Sequence, residues 1–148
     1  MTPKETEHLL NSFYDMPEQI AQLREEIATL YADRNASAPA LSEYYREEVK
    51  AKQAQLEHIQ RTYHALQSVL ADLSRLDYRL AELAYLGPKD TQKRENWIRR
   101  PTWYAIAAEM GISEKQSRAR ASRILKRIAA SWDGIFKLLA FENFINMP

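Results

Sequence analysis

Lys115, Gln116, Arg118 and Ser122 occupy the first turns of a basic helical stretch that begins after Ser113. Side chains of these types can pair with the edges of bases: Gln with adenine, Arg or Lys with guanine, Ser with either. Arg123 and Lys126 lie further along the same stretch, and Arg99, Arg100 and Thr102 lie before it. These five are candidates for phosphate contacts, which orient a protein on a duplex without reading its sequence. The chemistry within reach of this set is recognition of double-stranded DNA.

Positioning such side chains needs a rigid frame, and Thr102 to Ile128, TWYAIAAEMGISEKQSRARASRILKRI, has the local signals of one. Pro101 and Thr102 open a helix, with Thr102 placed as its N-cap. Ile106 and Met110 recur at i, i+4, so one face can be buried, and Ala107 permits a close helix approach. Gly111 ends the helix where a positive φ is expected, and Ile112 returns to the core. Ser113 then caps a second helix, with Gln116 at the capping-box position. Two helices joined by a turn of about three residues have the spacing of a helix-turn-helix. On the second helix Ser117, Ala121, Ile124 and Ile128 share one face. Lys115, Ala119, Ser122 and Lys126 lie opposite, flanked by Gln116, Arg118 and Arg123.

Charge follows the same division. The chain carries +1 overall, yet residues 89–127 hold eleven Lys/Arg against four Asp/Glu, a net +7, and the remainder carries −6. A basic segment on an acidic body is the distribution expected of a DNA-binding domain. The plainer reading of alternating Arg on an amphipathic helix is a solvated face.

The 148 residues suffice for one small domain or two coupled subdomains. A 45% hydrophobic content supports a core, and three Gly with abundant Ala, Leu, Glu, Gln and Arg point to an all-α protein. The absence of Cys removes disulfides, thiolate nucleophiles and Cys-ligated zinc. It fits a cytosolic protein. No apolar run reads as a signal peptide or reaches the ~18 residues of a membrane span.

The pattern predicts an N-terminal helical hairpin or coiled-coil arm over residues 1–86, a basic linker over 87–101 and a helix-turn-helix head over 102–148. A short helix is expected over Glu5–Tyr14, and a second from Pro17 to about Arg34, with Ile20, Leu23, Ile27 and Leu30 at spacings of 3 and 4. NASAPA, residues 35–40, reads as a loop. Ser42 is expected to cap a long third helix reaching Leu86, ended by Gly87-Pro88. Within it Leu56, Ile59, Tyr63, Leu66, Leu70 and Leu73 form a coiled-coil seam. That seam needs a cover. The second helix, a second copy of the chain, or packing of Tyr44, Tyr45, Val49 and Val69 on the head could supply it. The segment 131–145, SWDGIFKLLAFENFI, is too apolar for a free tail. It is expected to pack on the head or in a homo-oligomer contact, with RNA polymerase as a further candidate partner.

Nothing in the chain assembles an active site. His58 and His64 lie on different helix faces, and no metal motif, P-loop, Gly-rich dinucleotide loop or Ser-His-Asp set is present. No enzyme activity, metal or cofactor is expected.

Arg79 to Ile128 resembles the region-four domain of sigma factors and the related phage regulators of the ArpU and RinA type. The resemblance rests on Leu80-Ala81-Glu82-Leu83-Ala84-Tyr85, then Thr102-Trp103, Ile106-Ala107 and Gly111-Ile112-Ser113. It covers about a third of the chain. It implies a DNA-binding transcription regulator, an activator of late or packaging genes in a phage or prophage, with its functional helix over Glu114 to Lys126. The chain departs from the pattern at Ser117, where the family has an aliphatic residue, and at Arg120. Two other classes compete: an oligomeric DNA-recognition subunit of a phage packaging complex, and a helical protein-interaction module.

Overall fold

A computed structural model describes residues 1–87 and 101–145, the last helix with its side chains through residue 135. All regular structure among the described residues is helical. The helices are α1 (Pro3–Phe13), α2 (Met16–Ala36), α3 (Ser42–Ala71), α4 (Arg75–Ala81), α5 (Trp103–Met110) and α6 (Glu114–Ile145). A 3₁₀ turn covers Pro39–Leu41 and a π-helical turn covers Glu82–Leu86.

The chain forms two compact units, Asp15–His64 and Met1–Tyr14 with Ala65–Pro148. This division differs from the arm and head drawn from sequence, because α1 and residues 65–86 cluster with the helix-turn-helix. The first unit is an antiparallel hairpin of α2 with most of α3. It buries Met16, Ile20, Leu23, Ile27 and Val49. Cross-links fix the register: Lys52 Nζ lies 2.8 Å from Glu26, and Gln53 and Ser37 donate to the hydroxyls of Tyr31 and Tyr45 at 3.4 Å. The hydrogen bond with Lys52 holds the Glu26 carboxyl below its ordinary range and raises the Lys52 ammonium in turn.

The other unit is the head. Here α1 packs on α6 and on the π turn, and α4 packs on α5 and α6. Thr6, Leu10, Leu66, Leu80, Ala81, Ile106, Ser117, Ala121, Ile124 and Ile128 make its core. The N-terminus of α1 closes with a reciprocal capping box: Thr2 Oγ1 accepts from Glu5 N–H at 3.1 Å, and Glu5 accepts from Thr2 N–H at 2.9 Å. The T-x-x-E spelling of this box is in the sequence, and it starts the helix two residues earlier than apolar periodicity alone.

The long third helix of the sequence reading is broken. It ends at Ala71, and Ser74 turns extended (φ −60°, ψ 158°) to cap α4, its hydroxyl accepting from Asp77 N–H at 3.2 Å. A Ser with an acidic residue three places on is a helix start, and here it overrides the heptad register. The seam is divided between the two units within α3 itself. Leu66, Leu70 and Leu73 are buried in the head, while Leu56, Ile59 and Tyr63 stay half-buried on the hairpin. From Ala65 onward α3 belongs to the head unit. Ser42 is likewise no cap. It has helical angles (φ −57°, ψ −40°) and continues from the 3₁₀ turn directly into α3.

Gly87 ends the π turn with φ −78° and ψ 170°, an extended geometry, not a left-handed one. The following Pro88 imposes this, since proline excludes helical angles from its predecessor. The basic stretch Asp90–Arg100, with Trp97, Ile98 and the candidates Arg99 and Arg100, lies outside the described residues. So do the side chains of the apolar run from Phe136 to Ile145. The backbone of that run continues α6 without a break past Gly134, so the second helix of the head and the C-terminal apolar segment are one element.

Gly111 has a positive φ, at 69°. Its N–H and that of Ile112 both return to the Ala107 carbonyl, the latter at 3.2 Å, and so wrap the end of α5. Gly111→Ala is expected to destabilise the head by about 1–2 kcal/mol through left-handed backbone strain. Space is not the cause, since nothing lies within 4 Å of an added methyl. A urea denaturation midpoint compared with the parent measures it.

Candidate nucleic-acid interface

The α5–turn–α6 element is assembled from its own caps. Thr102 Oγ1 accepts from Ala105 N–H at 3.2 Å. Ser113 Oγ accepts from Gln116 N–H at 3.1 Å, and Gln116 Oε1 accepts from Ser113 N–H at 3.0 Å. Both caps and the box are those expected from sequence. Ile106 and Ala107 bury the inner face of α5, while Ser117, Ala121, Ile124, Leu125 and Ile128 bury that of α6. With that face held, the opposite strip of α6 must face solvent. Lys115, Gln116, Arg118, Ser122, Arg123 and Lys126 are all exposed.

These side chains are not equally available. The Gln116 amide oxygen is engaged in the capping box. A two-point grip on adenine needs both its oxygen and its nitrogen, so Gln116 is the weakest of the base-reading candidates. Arg118 sits 3.4 Å from Glu114, and its guanidinium lies 5.9 Å from the centre of the Trp103 ring. Stacking against α5 restrains a long side chain that is otherwise free to wander. Thr102 is exposed, and its hydroxyl oxygen serves the α5 cap.

Ser117 and Arg120 both find partners in the structure. Ser117 is fully buried, and its hydroxyl donates to the Ser113 carbonyl at 3.0 Å, so the polar atom is satisfied within its own helix. Arg120 donates through Nε to Asp77 at 2.6 Å and ties α6 to α4. The tie is set near the surface, with 32% and 19% of the two side chains exposed. On the far side of α4, Arg79 bridges Glu82 and Glu109, the latter at 2.7 Å. These two carboxylates, Glu109 first, raise its already high pKa. Tyr85 in the π turn is buried, which pushes its hydroxyl up to about 12.

Two basic residues that sequence reasoning did not place join this surface. Arg127 donates to the Asp72 carbonyl at 3.2 Å, and Arg120 lines the same side of α6. The signal was present as Arg at 120, 123 and 127, a spacing of 3 and 4 that puts all three on one strip. Among the described residues no group of His, Asp and Glu could hold a metal ion, and no helix is long and apolar enough to cross a membrane. No known family model matches the chain, and no curated protein or solved structure shows a significant similarity to it.

Proposed function

We propose that this chain is a sequence-specific DNA-binding transcription regulator of the phage or prophage type, acting in the cytoplasm of a bacterial host. The observation that carries the reading is the exposed basic strip on the first turns of α6, opposite a fully buried face and behind a left-handed Gly111 turn. A helix so held can enter a major groove about 12 Å wide. Lys115, Arg118 and Ser122 are the base readers, and Arg123 and Lys126 contact phosphates. The resemblance to sigma region four supports the same assignment. Two copies of the chain would present two heads to two half-sites.

Selection from a random DNA pool, followed by binding titrations across salt, tests the reading. A steep fall in affinity with salt and an enriched motif are expected, palindromic for a dimer. Lys115→Ala and Arg118→Ala are each expected to relax preference at one position of the motif, at about 1–3 kcal/mol per lost two-point contact. Binding that is absent at low salt would overturn the proposal.

A further inference from the structure

A cleft of about 450 Å³ opens in the head between α4 and α6, lined by Asp77, Arg120, Arg123, Ile124 and Arg127. Three guanidiniums face one carboxylate, so the cleft carries an excess of positive charge. Arg120 is anchored by Nε to Asp77, and Arg127 by one terminal nitrogen to the Asp72 carbonyl. A guanidinium has five N–H donors in a rigid fork. Each anchored group has given one of these bonds to the corner between α3 and α4. The remaining donors belong to side chains whose freedom is already reduced, which lowers the entropy lost on binding an anion. Arg123 has no hydrogen-bond or ion-pair partner among the described residues and stands between the other two along the strip.

We propose that this cleft is a phosphate clamp that receives the DNA backbone along one wall of the groove entered by the N-terminal turns of α6. The inference rests on the DNA-binding reading above and adds Arg120 and Arg127 to it. The three arginines span about 10 Å along the helix, at ~1.5 Å per residue. They sit on the same element as Lys115 and Arg118, so one rigid helix carries the base-reading strip and the clamp. A planar, two-point donor suits a phosphodiester oxyanion better than a flexible ammonium does. The strip contacts no base in this arrangement, so it contributes affinity and register without sequence preference.

The test uses the full chain and a labelled duplex of mixed sequence, titrated between about 50 and 200 mM salt. Arg123→Ala and Arg127→Ala are each expected to lower the salt slope by about 0.9, which corresponds to roughly eightfold weaker binding at about 0.1 M salt. The preferred motif stays unchanged. Both side chains are exposed, so folding is retained, and far-ultraviolet circular dichroism verifies it. Arg46→Ala on α3 removes the same charge from the hairpin and is expected to leave the slope as it was. Unchanged slopes in Arg123→Ala and Arg127→Ala, or an equal fall in Arg46→Ala, would overturn the clamp, and with it the phosphate contact of Arg123, and leave base reading by Lys115 and Arg118 standing. If inorganic phosphate or ATP saturates the cleft of the parent without displacing DNA, it is a small-anion site and the clamp is equally overturned. A parent chain that binds no duplex removes both inferences together.

Discussion

Leu10→Ala is expected to destabilise the head by about 2–5 kcal/mol, the cost of losing buried methylene contacts and leaving a cavity. Leu10 is 0% exposed, on a helix that packs against α6 and the π turn. It lies more than a hundred positions from the residues of α6 in the sequence, and by sequence alone α1 belongs to the arm. Urea denaturation followed by tryptophan fluorescence reads the head, because Trp132 is buried and Trp103 half-buried within it. Since α6 carries the proposed DNA surface, DNA binding should disappear over the same urea range as the fluorescence transition. A cost below about 1 kcal/mol would mean that α1 is not part of the head core, because a well-packed leucine cannot be truncated so cheaply.

Leu66→Ala and Leu56→Ala are expected to part company, although the two residues share one heptad seam. Leu66 is fully buried and belongs to the head, so its truncation should cost about 2–5 kcal/mol. Leu56 is only half-buried on the hairpin. Complete burial of a leucine contributes about 1.5–3 kcal/mol, so half of that, about 1 kcal/mol, is the expected loss. A continuous two-chain coiled coil would make both substitutions costly and would make every melting temperature rise with protein concentration. Melting curves of the parent and both variants at two widely separated concentrations distinguish the two arrangements. Equal, large and concentration-dependent effects would restore the seam as a subunit interface.

Local grammar was legible wherever a short run of residues decides the outcome on its own. The Thr102 cap, the left-handed Gly111 and the Ser113–Gln116 box all form as their spelling indicates, because each is a hydrogen bond or a backbone preference within four residues. The two faces of α6 were legible too, since helical periodicity alone sorts Ser117, Ala121, Ile124 and Ile128 from the basic strip. At Ser74–Asp77 a local cap competes with the longer apolar repeat, and the cap prevails. A six-residue apolar repeat looked like one long helix, and a single capping Ser was enough to break it.

By itself the sequence determined an all-helical chain, the caps and turn of α5 and α6, and the basic face of α6. Each of these follows from interactions local to the chain. Only the tertiary structure decided that α1 and the end of α3 complete the head, that Arg120 meets Asp77, and that Arg127 meets the Asp72 carbonyl. These pairings join residues 43 and 55 positions apart. Periodicity states that a face is apolar or charged, but it does not name the surface that covers it. That choice is made by which helices fit together with their buried polar atoms satisfied.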